Sequence, residues 1–164
     1  MPCYHPLTAY RTSQGVSFSR LARNGEDFGT IEIPCGQCIG CRLRRSQEWA
    51  LRCAHEASLW PRNCFVTLTY GRNRMPPNGS LDYGDFQAFM RRLRKAVSPV
   101  PVRFFMCGEY GPLNGRPHYH ACLFNVDFED RVPSGRSKSG EVTYASAVLS
   151  RSTAPTARAI IVSK

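Results

Sequence analysis

Two short apolar and aromatic runs separated by a turn-forming segment constrain the fold more than any other feature. The first run covers residues 102–110 and the second covers residues 118–124. Between them stand Gly111, Pro112 and Gly115, residue types that favour tight turns. The pattern predicts a β-hairpin of two antiparallel strands.

The segments before this hairpin predict a third strand and two helices. Residues 64–70 are β-branched and aromatic, which is typical of a strand. A basic helix is predicted from Arg42 to Trp60, where Pro61 ends it. Asp82 is a suitable cap for a second helix, which carries one apolar stripe: Phe86, Phe89, Met90, Leu93 and Val97. The order of these elements is strand, helix, strand and strand, and a small Cys-rich region of the zinc type precedes them.

The charge of the chain indicates a polyanionic partner. The net charge is +10, and only three of the 22 basic residues are lysines. The planar guanidinium of arginine binds phosphate through two hydrogen bonds and stacks on bases, so this excess favours nucleic acid. A high genomic GC content would explain the ratio of arginine to lysine but not the excess of charge. No apolar run is long enough to span a membrane, and the first residues lack the blocks of a signal peptide, so we expect an intracellular protein.

His118 and His120 are the strongest candidates for metal ligands. Alternate residues of a strand point to the same face, so both imidazoles lie on one side of the second hairpin strand. Antiparallel pairing across the loop places Glu109 about opposite His118. One carboxylate and two imidazoles with open coordination positions suit Mg²⁺ or Mn²⁺. The alternative is a pair of strand histidines that only form hydrogen bonds, and the opposed carboxylate and basic charge weigh against it.

A second candidate metal site is a cysteine cluster near the N-terminus. Cys35, Cys38 and Cys41 are separated by two residues each, and Cys3 is available as a fourth thiol. In a reducing compartment such a set predicts a structural Zn²⁺ with four thiolate ligands. An iron–sulfur cluster and unmetallated thiols are the alternatives. The other cysteines are expected to be small buried hydrophobic side chains: Cys53, Cys64, Cys107 and Cys122.

Three segments together resemble the His-hydrophobe-His (HUH) endonucleases, and specifically the replication initiators of gokushovirus-type bacteriophages. These segments are residues 65–70, 108–111 and 116–121, and the cysteine run 34–42 adds to the resemblance, which covers about residues 1–130. The resemblance implies the palm-like α+β fold of this family, an antiparallel sheet with flanking helices, with which the order of the predicted elements is compatible. It also implies a divalent metal and phosphoryl transfer, in which a tyrosine attacks a DNA phosphate and leaves a 5′-phosphotyrosine and a free 3′-hydroxyl. It also implies rolling-circle replication in the host bacterial cytoplasm, with single-stranded DNA at an origin and the host replication machinery as partners.

The same resemblance implies DNA contacts but leaves the nucleophile unassigned. Thr67 and Thr69 belong to the first motif of the family, which is associated with DNA contact, although they also suit an ordinary half-buried strand. The family motif of a tyrosine followed closely by a lysine is absent after the histidines. Tyr144 is the only later tyrosine, and a packed aromatic is its better interpretation. Six arginines are further candidates for DNA contact: Arg42, Arg44, Arg45, Arg91, Arg92 and Arg94.

These features predict three regions and two alternative functions. The regions are a Cys-rich segment with a basic tryptophan helix at 1–60, an HUH endonuclease core at 61–130 and an irregular tail at 131–164. From about residue 150 the resemblance is lost, which suggests truncation, a shifted reading frame or divergence. The first function is initiation of viral DNA replication by metal-dependent nicking, with the covalent step in doubt because the nucleophile is missing. The alternative is a non-catalytic, zinc-stabilised protein that binds single-stranded DNA.

Overall fold

A computed structural model describes residues 2–19, 29–71, 75–112, 114–137, 140–153 and 157–162. The chain divides into two compact units, residues 1–52 and 53–164. Each unit contains its own sheet, and every strand pairing in both sheets is antiparallel. Helices combined with antiparallel sheets confirm the predicted α+β class. No helix within these ranges is both long and apolar enough to cross a membrane.

The first unit contains a three-stranded sheet and the beginning of a long helix. The strands are β1 (Leu7–Thr12), β2 (Gly15–Ser17) and β3 (Thr30–Ile33), and β1 lies in the middle. Helix α1 (Ile39–Ser58) follows the cysteine turn and continues into the second unit. Only Gly40 and Cys41 of this helix are buried, so the predicted basic helix is solvent-exposed along most of its length.

The second unit is built on a six-stranded sheet with the order β5-β6-β4-β9-β8-β7. Its strands are β4 (Asn63–Tyr70), β5 (Arg103–Tyr110), β6 (Pro117–Phe124), β7 (Val132–Arg136), β8 (Val142–Ala145) and β9 (Ala157–Val162). Helix α2 (Tyr83–Ala96) connects β4 to β5, and the short α3 (Ala147–Ser152) precedes β9. The predicted hairpin and the strand beside it are therefore confirmed as β5, β6 and β4.

One face of the second sheet carries the hydrophobic core. Val66, Ala121 and Ile161 are almost fully buried at neighbouring positions on this face. The apolar stripe of α2 packs against it, and the Phe86 ring lies 5.6 Å from the Tyr119 ring. Asp82 caps this helix as predicted by accepting a hydrogen bond from the Gly84 amide at 2.8 Å.

The expectation of an irregular tail at residues 131–164 is wrong for the described part of that segment. Strand β9 lies between β4 and β8 inside the sheet, and Leu149 and Ile161 are fully buried. Ser146 anchors α3 by donating to Asp130 Oδ1 at 2.6 Å. The polar composition misled the prediction because strand formation depends on the available pairing partners as well as on local propensity. The first boundary also moves, from residue 60 to residue 52 inside α1.

The four cysteines outside the cluster do not all follow the expectation of burial. Cys53, Cys64 and Cys122 are half-buried, and burial raises the pKa of Cys64 to about 12. Cys107 is exposed, because it lies on β5 at the edge of the sheet. Its side chain shares the strand face of Glu109, away from the core.

Candidate metal centres

His118 and His120 lie on the face of β6 that points away from the core. Tyr119 and Ala121, their neighbours on the strand, are buried on the opposite face, which confirms the predicted alternation. The two imidazole rings are 4.8 Å apart between centroids and nearly perpendicular, at 89°. Both side chains keep part of their surface in solvent, so an ion can reach them.

Glu109 completes this group from the neighbouring strand. The β5–β6 register pairs Glu109 with His118, as predicted from the loop length. Its Oε2 atom is 3.4 Å from His120 Nε2 and 3.9 Å from His118 Nε2. Ligands about 2.0–2.2 Å from a shared cation are about 3–3.5 Å from one another. The His120 separation lies within this range and the His118 separation is about 0.4 Å longer than its upper end. The three side chains are therefore close enough to serve as a donor set for a divalent cation, with positions left for water or phosphate.

The second nitrogen of each imidazole is held by a neighbouring group. His118 Nδ1 is 3.0 Å from the backbone oxygen of Arg116, and a carbonyl oxygen only accepts hydrogen bonds. In the neutral ring the proton is therefore on Nδ1, and the lone pair of Nε2 faces Glu109. His120 Nδ1 is 2.9 Å from the Thr67 hydroxyl, which can accept in the same way. Hydrogen bonds of this kind orient histidine ligands toward a metal.

The surroundings of His120 favour its neutral form. Burial lowers the pKa of His120, the nearby His118 lowers it further, and the Glu109 carboxylate acts in the opposite direction. On the sheet face the ring also stacks on Phe65, with centroids 5.4 Å apart. A neutral, fixed imidazole is the form that coordinates a metal ion.

Thr67 and Thr69 of β4 lie on the histidine face of the sheet. The β4–β6 register pairs Thr67 with His120 and Thr69 with His118. The Thr67 hydroxyl is engaged with the His120 ring, a contact that the sequence motif did not reveal, because it depends on which strand lies beside β6. The contact of Thr67 and Thr69 with DNA stays a prediction.

The six candidate arginines are divided between the two units. Arg42, Arg44 and Arg45 are exposed on α1 in the first unit, and Arg44 forms a weak ion pair with Glu48 at 3.8 Å.

Arg91, Arg92 and Arg94 are on α2, which covers the core face and so lies across the sheet from the histidines. Arg92 Nε donates to the Ser152 oxygen at 2.8 Å, and Arg94 Nη2 donates to the Val102 oxygen at 3.1 Å. The structure thus gives Arg92 and Arg94 intramolecular contacts and separates the α2 group from the histidines.

Tyr144 lies on the core face of β8, three strands from β6. Tyr144 pairs with Ile161, Ile161 pairs with Val66, and Val66 pairs with Ala121. All four side chains point away from the histidine face. Three inter-strand spacings of about 4.8 Å place Tyr144 about 14 Å from β6. The Arg131 guanidinium is 5.6 Å from its ring centroid. These contacts agree with the interpretation of Tyr144 as a packed aromatic.

The other tyrosines of the second unit are also directed away from the histidines. Tyr70, Tyr110 and Tyr119 alternate with histidine-face residues and therefore point to the core side of the sheet. Tyr83 is on α2, where its ring stacks on Phe86. Among the residues of the second unit that the structure describes, no tyrosine lies on the histidine face.

The four predicted zinc ligands also come together, at the beginning of α1. Their sulfur atoms lie within 4.8 Å of one another: Cys3, Cys35, Cys38 and Cys41. Cys3, which the sequence offered as an available fourth thiol, is adjacent to both Cys35 and Cys38. All four are free thiols in the structure.

Comparison with known proteins identifies relatives among phage proteins. Residues 63–156 match the family model "Replication-associated protein ORF2/G2P", which is more than half of the chain. The match continues past residue 130, where the sequence resemblance was expected to end, and includes β7, β8 and α3. No solved structure matches the chain.

Three curated relatives carry similar names. The chain is 30% identical over 153 residues to replication-associated protein VP4 of Bdellovibrio phage phiMH2K, covering 89% of this chain and 48% of the relative. It is 30% identical over 171 residues to replication-associated protein ORF2 of Spiroplasma virus 4, covering 92% and 53%. It is 34% identical over 98 residues to replication-associated protein ORF4 of Chlamydia phage 1, covering 58% and 24%. The chain thus spans about half the length of the first two relatives.

Proposed function

The chain belongs to the replication-associated protein ORF2/G2P family, and from that premise we propose that it acts in rolling-circle replication of a bacteriophage genome, as the metal-dependent nicking domain for single-stranded DNA at the origin. The observation that carries the proposal is the histidine site. Two Nε2 atoms and one carboxylate oxygen converge at a solvent-accessible point. The net charge of +10 supports a polyanionic substrate.

Glu109, His118 and His120 would hold Mg²⁺ or Mn²⁺ in this site. When bound, such an ion neutralises charge on the scissile phosphate and polarises its P–O bonds. The Thr67 hydroxyl and the Arg116 carbonyl keep the two imidazoles in the orientation that binds. The Glu109 side chain is 57% exposed, which leaves the DNA backbone an open approach from the solvent side.

The covalent step of nicking requires a tyrosine on the same face. The phenolic oxygen forms a bond to phosphorus, the bond from phosphorus to the 3′ oxygen breaks, and the phenolic proton ends on that leaving oxygen. The tyrosines of the second unit lie across the sheet, at Tyr70, Tyr110, Tyr119 and Tyr144, or on α2, at Tyr83. This placement favours a second candidate function, a non-catalytic protein that binds single-stranded DNA, for this chain acting alone.

A DNA-binding and cleavage assay tests the histidine site. The probes are single-stranded oligonucleotides that tile the DNA encoding the chain, with and without Mn²⁺. We expect Mn²⁺-dependent binding that the double variant His118→Ala and His120→Ala abolishes. Binding that is indifferent to Mn²⁺ and to both substitutions would contradict the proposal and support the non-catalytic function.

Mass spectrometry of the same mixtures tests the covalent step separately. We expect little or no DNA–tyrosine adduct, because no tyrosine of the described second unit shares the histidine face. A stoichiometric adduct at Tyr144 would show that the β8 segment rearranges and would overturn this expectation. Mn²⁺-dependent cleavage without an adduct would support the metal site and indicate water as the nucleophile.

A further inference from the structure

The four thiols at the beginning of α1 have the spacing of a tetrahedral metal site. A Zn–S bond of about 2.3 Å places the sulfurs of such a site about 3.8 Å apart. Cys3 Sγ is 3.6 Å from Cys35 Sγ and 3.8 Å from Cys38 Sγ. These separations are far longer than the roughly 2.05 Å of a disulfide bond. The thiols are therefore gathered around a common point without being bonded to one another.

Two glycines allow the chain to make this arrangement. Gly36 has a φ of 74°, in the left-handed region that suits glycine, and it turns the chain between Cys35 and Cys38. At Gly40 a Cβ atom would overlap the backbone oxygen of Pro2. The absence of a side chain at Gly40 thus lets the N-terminal segment approach α1, which brings Cys3 to the cluster.

The surroundings of the cluster stabilise thiolates. The Tyr4 amide donates to Cys38 Sγ at 3.4 Å, and the Cys35 amide donates to Cys3 Sγ at 3.3 Å. The positive end of the α1 dipole is adjacent, and the first turn of the helix contains no acidic residue.

The first unit has almost no hydrophobic core of its own. Within described residues 2–19 and 29–52, the only buried hydrophobic side chains are Ala9 and Cys41. Large apolar side chains such as Phe18 and Ile39 are 65% and 59% exposed. A unit of this size does not fold stably on so little buried surface unless a disulfide, a metal or a partner supports it.

We propose that this cluster binds one structural Zn²⁺ and that the ion stabilises the fold of the first unit. The ligands are the thiolates of Cys3, Cys35, Cys38 and Cys41. Zinc is the ion that thiolates select, whereas Mg²⁺ and Mn²⁺ prefer oxygen ligands. The ion ties the N-terminal segment to a turn 32 residues later and fixes the first turn of α1. The exposed Arg42, Arg44 and Arg45 extend from that turn, so the ion also orders the basic part of the helix. This proposal is independent of the histidine site.

Elemental analysis of the purified full chain tests the proposal, with one zinc per chain as the expected result. Cys38→Ser should lose the zinc. Cys53→Ser, the control on the same helix but outside the cluster, should keep it. The double variant His118→Ala and His120→Ala should also keep it, which separates this site from the histidine site. The proposal would be overturned by wild-type protein that contains no zinc, or by zinc that is lost only from the histidine variant. It would also be overturned by bound iron with a sulfur-to-iron charge-transfer absorption band.

Alkylation of the wild-type thiols provides a test that does not depend on the folding of a variant. In the zinc-bound chain we expect Cys3, Cys35 and Cys38 to resist alkylation although they are only half-buried, while the exposed Cys107 reacts. A chelator should make the three thiols reactive and reduce the helical circular dichroism signal as the first unit unfolds. Equal alkylation rates with and without the chelator would refute the site. When Co²⁺ replaces Zn²⁺, the absorption spectrum should gain the thiolate-to-cobalt charge-transfer bands and the visible bands of a tetrahedral sulfur site.

Discussion

Replacing Thr67 with valine distinguishes a positioning role of this residue from a role in DNA contact. Valine has nearly the same shape as threonine, so Thr67→Val leaves β4 intact but removes the hydroxyl that lies 2.9 Å from His120 Nδ1. The His120 ring then loses its hydrogen-bond partner at Nδ1, which orients Nε2 toward the proposed metal position. We expect weaker binding of Mn²⁺ even in the absence of DNA.

The size of this effect follows from the exposure of the ring. One hydrogen bond contributes about 1 kcal/mol, and losing a partner that orients a ligand weakens metal affinity by about 10- to 100-fold. The His120 side chain is 25% exposed, so water can replace part of the lost bond. We therefore expect the lower end of the range, about a tenfold increase in the Kd for Mn²⁺.

Titration calorimetry of the full chain with Mn²⁺ measures this Kd directly. Thr67→Ser is the matched control, because it keeps the hydroxyl and should bind Mn²⁺ with nearly the affinity of wild type. Thr69→Val on the same strand face is a second control, since the structure gives its hydroxyl no contact with a histidine ring nitrogen. An unchanged Mn²⁺ affinity of Thr67→Val, together with weaker DNA binding at saturating Mn²⁺, would refute the positioning role.

The later part of the second unit allows two further predictions, both measured by chemical denaturation. Leu149→Ala should lower the free energy of unfolding by about 2–5 kcal/mol, because Leu149 is fully buried. Val132→Ala, the control on the exposed edge strand, should change the free energy of unfolding little. Equal effects of the two substitutions would contradict the packing of α3. Hydrogen bonds from Ser146 and from the α3 amides lower the pKa of Asp130 in the folded chain. The ionised Asp130 therefore stabilises the fold above its unfolded pKa of about 3.9. This stabilisation is lost as the pH falls from that value through the lower folded pKa. Asp130→Asn should remove this loss of stability below about pH 4, and an identical acid profile in the variant would contradict it.

The local pattern of the sequence was sufficient for the central part of the fold. The apolar stripe from Phe86 to Leu93 and its cap at Asp82 predicted α2, and the alternation around His118 and His120 predicted their shared face. The loop between the hairpin strands was short enough to predict the pairing of Glu109 with His118. These properties were accessible because they depend on helical and strand periods and on a short connection.

Other features could not be predicted because they depend on contacts between distant parts of the chain. The segment after residue 131 has the composition of a loop, yet the free edge of β4 provides β9 with a partner and the sheet continues to β8 and β7. The arginines of α2 were expected to attract DNA, but the side of the sheet on which α2 packs separates them from the histidines.

The sequence by itself determined which chemical groups are present and which of them share a strand face or a turn: His118 with His120, and Cys35 with Cys38 and Cys41. Only the tertiary structure decided what surrounds them. It placed Thr67 against His120, brought Cys3 to the cysteine turn and directed Tyr144 to the core side of the sheet. The physical reason is that backbone periodicity is local, whereas the choice of strand neighbours and packed faces is set by the burial and hydrogen bonding of the whole chain.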